Sequence, residues 1–323
     1  MNIQFFKKRS KITKNTFSFF IIILNIFVIA CSDNDSSTGS SATTAAVTPG
    51  IKIVNISDNV STSDLTTWTT DAAAKMSSQV ANVLFISWDI GAYVADGTPF
   101  NTHTVVITSE QIETLMTEID TWLKTTCSTS VAEESATYRA YITNGSEVSS
   151  QFAICGQYRL ILIGVIQGSS SDNSKNLAIH ELYHALQQDL GDEDCNTKRE
   201  ITGSNGKGWI NEGAADYFSN IEMYGSSAGV QKILELGLEA YNEDSSAAIT
   251  GTGVASRGSA GLRLMVKRGA LTESNILDGS LFHSCATESD YTDSNSNIVS
   301  AEANWYKIQL SSGVYSFTSA ALQ

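Results

Sequence analysis

The sequence predicts an α+β fold, with a β-rich half over residues 51–170 packed on the first helix of a mainly helical half over residues 171–323. Two observations carry this expectation. Short runs rich in β-branched and aromatic residues crowd the chain before a Gly/Ser/Asn break at Gly168–Ser174, and helical periodicities follow that break. A third observation bounds it. With 323 residues, 42% of them apolar and no internal repeat, the chain can bury one large core.

The first thirty residues read as an address. Met1–Lys14 is basic, and Phe17–Ala30 is almost purely apolar. An apolar run of about 14 residues is short for a membrane span, which takes roughly 20, and suits a signal-peptide core. An ordinary secretory signal or an uncleaved anchor would share these features. The run ends in Val28-Ile29-Ala30-Cys31, which resembles the lipobox of bacterial lipoproteins. That resemblance implies lipidation of Cys31 as the new N-terminus. Ser32, where an Asp would favour inner-membrane retention, implies an outer-membrane destination. Ser32–Gly50 is Ser/Thr/Ala-rich and predicts a flexible tether with an end-to-end distance on the order of 25 Å.

In the β-rich half the expected strands are Ile51–Ile56, Val80–Ser87, Thr104–Ile107, Tyr138–Thr143 and Tyr158–Ile166. The last is continuously apolar, as a strand buried on both faces should be. One helix interrupts them: Thr108 and Gln111 form a capping box, and Ile112, Leu115, Met116, Ile119 and Leu123 recur at helical spacing. In the second half, helices are expected over Ser174–Leu190, with Gly191 as its stop, and over Gly208–Tyr224, Ala228–Tyr241 and Arg257–Gly269. Ser284–Ser300 is polar and reads as a loop.

Charge narrows the partners. Acidic residues outnumber basic ones 34 to 20, and Lys7, Lys8, Arg9, Lys11 and Lys14 all lie in the leader. The remainder would be repelled by phosphate backbones and anionic headgroups, which argues against nucleic acid and leaves the lipid anchor as the membrane contact. Beyond Cys31 the cysteines are Cys127, Cys155, Cys195 and Cys285. In an exported chain they are consistent with two disulfides, in any of three pairings. A tetrathiolate zinc site is not expected, since no C-x-x-C pair occurs.

The chemistry concentrates in His180-Glu181-Leu182-Tyr183-His184, which holds two of the four histidines. Residues on a helix turn by 100°, so the two imidazoles project from one face a turn apart and Glu181 overhangs them. Ile179, Leu182, Leu186 and Leu190 form the opposite, packing face. Two imidazoles leave a metal short of a third protein ligand. The metzincin continuation would need Gly and His where Gln187 and Leu190 stand. Downstream, however, comes Trp209-Ile210-Asn211-Glu212-Gly213-Ala214-Ala215-Asp216-Tyr217, with Glu212 and Asp216 on one helical face. Gly213, Ala214 and Ala215 look small enough to let this helix approach the first. Trp209, Tyr217 and the remote His103 read as structural.

Together, HELYH and NEGAADYF resemble the gluzincin, thermolysin-like zinc metallopeptidases over about 45 residues, Ala178–Asn220. The resemblance implies Zn(2+) held by His180, His184 and Glu212, with Glu181 as general base and Asp216 orienting an imidazole. It implies hydrolysis of a peptide or protein substrate lying along a sheet edge. A donor for the oxyanion is expected farther along the chain, at His283 or Tyr291. Because Cys285 neighbours His283 and Cys195 lies between the motifs, a Cys195–Cys285 disulfide would pin that loop, leaving Cys127–Cys155. The aminopeptidase signature G-x-M-E-N is absent, which favours an endopeptidase. The rival expectation is a catalytically silent lipoprotein that uses the scaffold to bind a protein or cell-wall partner; the intact Glu181 speaks against it.

Overall fold

The structure, a computed structural model, describes residues 50–77, 82–94, 103–126, 132–146, 149–155, 158–187, 207–245, 248–250, 253–284 and 295–323. The leader, Cys31, the tether before Gly50, the expected helix end at Leu190 and Gly191, Tyr291 and Cys127, Cys195 and Cys285 lie outside these, so neither expected disulfide falls wholly within them.

The main sheet is built from β1 (Ile51–Asn55), β2 (Asn82–Tyr93), β3 (His103–Val105), β4 (Ser149–Cys155) and β5 (Tyr158–Ile166). Its order is β1–β2–β5–β4, with β3 antiparallel to the far end of β2. β1, β2 and β5 run parallel, in register from Asn82↔Tyr158 to Ile90↔Ile166, and β4 runs antiparallel to β5. The period-2 alternation of a strand splits β2 and β5 between two cores. Val83, Phe85, Ile161 and Ile163 face the helical half, whereas Leu84, Ile86, Leu160 and Leu162 face the other way. β5 is thus covered on both sides, as its unbroken apolar run requires.

The second core is closed by α2 (Ser109–Thr126) and α3 (Ala132–Thr143). The predicted capping box of α2 is present: Gln111 N donates to Thr108 Oγ1 and Thr108 N to Gln111 Oε1. Leu115, Met116, Ile119 and Leu123 are all buried.

Tyr138–Thr143 corrects an expectation, because it is not a strand but the end of α3. Tyr138 and Ile142, four apart, bury against the sheet, while Arg139 turns out to pair with Glu113 of α2. Both periodicities fit six residues, and packing against α2 selects the helical one. The place at the sheet edge goes instead to β4, whose run SSQFAIC is too weakly patterned to announce a strand. Thr104–Ile107 also shifts: β3 starts at His103 and stops at Val105. His103 is buried, its ring set edge-on to Tyr93, and burial pushes its imidazole below the ordinary value.

An unexpected helix, α1 (Thr62–Ala73), begins where Ser61 accepts from Asp64 N, and buries Leu65, Thr69 and Ala72. Its threonines are poor helix formers, which hides it from propensity.

The helical half contains α4 (Ser171–Gln187), α5 (Gly208–Glu243), α6 (Val254–Lys267), α7 (Glu273–Leu277), a 3-10 helix (Ser280–Ser284) and α8 (Ser296–Asn304). A hairpin of β6 (Ile308–Ser311) and β7 (Val314–Phe317) and a last turn α9 (Ser319–Leu322) complete it. The two helices expected over residues 208–241 are the arms of α5, joined at Gly225, whose φ of 76° and ψ of 164° suit only glycine. The end of the expected Ser284–Ser300 loop is α8, capped by Asn295 and held by buried Ile298 and Ala301. Among the described residues no helix is long and apolar enough to cross a membrane.

Candidate metal centre

α4 lies between the sheet and α5, and its sequence explains its rotation. Ile179, Leu182 and Leu186 are at most 3% exposed and fix the packing face, as the spacing predicts. His180 and His184 therefore turn toward α5, each with 12% of its side chain exposed, and meet Glu212 at 17%. The first arm of α5 is anchored by buried Trp209 and Tyr217. Trp209 Nε1 and Lys207 Nζ both donate to Glu302 of α8, at 2.9 and 2.7 Å.

The ligand atoms converge. His180 Nε2 and His184 Nε2 are 3.0 Å apart, and Glu212 Oε2 lies 3.5 and 3.6 Å from them. These three residues form a group able to hold a metal ion. Two donors at about 2.0–2.1 Å from a tetrahedral ion lie about 3.3–3.4 Å apart, and the observed separations straddle that value. A triangle with these sides has a circumscribed radius of about 2.0 Å, so one point near its plane reaches bonding distance to all three and leaves a side open. The chemistry of Glu212 agrees: among the described residues its buried Oε2 has no hydrogen bond, only the contacts of 3.5 and 3.6 Å with the two imidazoles. A buried carboxylate oxygen without a donor is costly unless a cation sits beside it.

The electrostatics point the same way. Burial by itself would raise the Glu212 carboxyl, yet the His184 and His180 imidazoles outweigh it and hold the group well below the usual carboxylate range. Burial by itself would lower His180, but the carboxylate of Glu212, helped by the charges of Glu181 and Asp216, lifts it to about 9. A cation of either kind, proton or metal, is what this cluster attracts.

A pH dependence follows for the metal-free chain. A group whose pKa is higher folded than unfolded stabilises fully below the unfolded value and loses that contribution as pH rises through the folded one. For His180 the window runs from 6.5 to about 9. Glu212 works in reverse, contributing above the ordinary carboxylate range and failing in acid. Thermal melts of the metal-free protein should therefore show a midpoint that falls between pH 7 and 10. A midpoint rising over that interval would contradict the charge assignment.

Glu181 is 6% exposed, one residue from His180 on α4. Asp216, expected to orient an imidazole, is buried at 8% exposure, and among the described residues the hydrogen bond to its carboxylate comes from Ser259 Oγ of α6, at 2.7 Å. Burial pushes the Asp216 carboxyl up, opposed by that bond, by the charge of His180 and, more weakly, by the Asn220 amide. Asp216 thus acts on His180 through its charge while α6 holds it. His283 belongs to the 3-10 helix, beside buried Phe282, whose ring meets that of Tyr183 at 6.2 Å. The expectation for its imidazole lies outside the described side chains.

Of the three small residues, Gly213 needs a correction. Gly213 does not serve the approach of α5 to α4 but its approach to α6. A Cβ on Gly213 would lie 2.7 Å from both Gly258 Cα and Ser259 N, and one on Gly258 would strike Trp209 O. Counted along the helix, Gly213 is 100° from Glu212 and so off the ligand face. Gly213→Ala should cost about 3 kcal/mol or more, beyond ordinary overpacking because backbone must yield. Chemical denaturation checks it; a loss under about 1 kcal/mol would mean the helices separate freely.

Sequence reasoning missed the supports behind the ligands. Tyr183, inside the first motif, donates to Ile276 O at 2.6 Å. Tyr217, inside the second, donates to Glu273 at 2.5 Å and accepts from Arg263 at 3.0 Å. Both motifs are so fastened to α7. The signal was present in the two phenols, but their partners are ordinary residues 56 and 93 positions on.

Compared with protein-family models, with curated proteins and with solved structures, the chain matches none.

Proposed function

We propose that this chain is a zinc-dependent peptidase, an endopeptidase by preference, anchored to the cell envelope through a lipid on Cys31 and directed to the outer membrane. The observation that carries the reading is the meeting of His180, His184 and Glu212 around one point, with Glu181 on the same turn as the imidazoles. His180 and His184 would hold zinc through Nε2 and Glu212 through Oε2, the nitrogen and oxygen donor set that zinc accepts in hydrolytic sites. Zinc, when bound, supplies Lewis acidity toward a carbonyl and toward water.

The rest falls to the chain's own residues. Glu181 takes a proton from the attacking water as its oxygen bonds the peptide carbon, then delivers that proton to the nitrogen as the C–N bond breaks. Asp216 keeps negative charge near His180, as carboxylates behind ligating histidines do. β4 is the edge of the sheet and packs against α4, so it offers an extended peptide a strand to join near the ligands. A scaffold that only bound a partner would have no need of a base beside the metal ligands, where Glu181 stands.

A peptide-library digest tests the reading. The purified chain should cleave internal peptide bonds, lose activity to a chelator and regain it on zinc addition. Absence of cleavage by the zinc-loaded protein would favour a binding role.

A further inference from the structure

We infer that Ser259 is a positioning residue of the metal centre, holding the Asp216 carboxylate in place from α6. The inference rests on the metal-binding reading of His180, His184 and Glu212 and extends it to a third helix. It starts from a close backbone approach. Gly213 of α5 and Gly258 of α6 leave no room for a Cβ between them. That contact brings the residue after Gly258 within side-chain reach of the residue three past Gly213. Ser259 and Asp216 occupy those places, at 0% and 8% exposure, with Oγ 2.7 Å from Oδ2.

Packing alone does not ask for this bond. Ser259 Oγ also lies 3.1 Å from Ser256 O, one turn back on its own helix, a partner that would satisfy it. A hydroxyl has one proton to give, and the shorter contact to a charged acceptor takes it. Ser219 Oγ and Asn220 Nδ2 are placed on the Asp216 backbone oxygen, at 3.1 and 2.8 Å, and the Asn220 amide adds a smaller pull on the carboxylate than Ser259 does. Without Ser259 the buried carboxylate would turn away to find another donor. Asp216 stands one helical turn past the ligand Glu212 on the same face of α5, so its negative charge, which acts on His180, would move with it.

Zinc titration of the full chain against a competing chromophoric chelator tests this, with the metal-free melting midpoint measured in parallel. Ser259→Ala should weaken zinc binding by about 10- to 100-fold, the usual effect of removing a partner behind a ligand, and should lower the metal-free midpoint by no more than the loss of one hydrogen bond to a buried carboxylate does. Ser259→Thr, which keeps the hydroxyl, should restore affinity. In an Asp216→Asn background Ser259→Ala should have no further effect, since the two act as one unit. Zinc binding by Ser259→Ala equal to wild type would overturn the inference while sparing the metal site. So would an additive double variant, or a loss that Thr leaves unrepaired and that follows the midpoint. A wild-type chain that binds no zinc would remove the metal site itself, and the role of Ser259 with it.

Discussion

Glu181→Gln should bind one zinc per chain as the wild type does and lower peptide turnover by about 10³-fold, within the range general bases contribute. The substitution keeps size and hydrogen-bonding capacity and removes the ability to take a proton. Because Glu181 is not among the three converging donors, the metal should stay. It also adds to the negative charge around His180, so zinc affinity should soften slightly. Turnover and stoichiometry measured on one preparation separate the outcomes. Unchanged turnover with zinc in place would remove Glu181 from the chemistry and favour the binding scaffold.

The second large effect belongs to Glu212→Gln, which should weaken zinc binding by more than about 100-fold, beyond the 10- to 100-fold typical of partners behind the ligands. An amide oxygen is a far poorer donor to zinc than a carboxylate, and the neutral side chain no longer offsets the charge brought into a site 12–17% exposed. The same substitution should blunt the fall in melting midpoint above neutral pH, since Glu212 is the leading cause that raises His180. A variant that kept wild-type affinity would place the third ligand elsewhere.

What could be read from the sequence follows physical scale. The HELYH turn was legible because both ligands sit on one helix, where 100° per residue fixes their direction and the apolar positions fix the buried side. The α2 capping box was legible for the same local reason. Glu212 was reachable by motif, but its distance to the imidazoles depends on how α5 crosses α4. Gly213 shows the limit: a small residue announces a close neighbour without saying which, and the neighbour is Gly258 rather than α4. Tyr138–Thr143 failed because six residues satisfy two periods, and only contact with α2 decides between them. Ser259 carried no pattern at all, since its meaning comes from Asp216, 43 residues away.

The central claim is that two imidazoles and one carboxylate share a single cation. A crystal grown with zinc and measured at the zinc absorption edge tests it directly. The account predicts one anomalous peak, about 2 Å from His180 Nε2, His184 Nε2 and a Glu212 oxygen. Glu212 turned away from the imidazoles, or zinc bound only at other side chains, would contradict it.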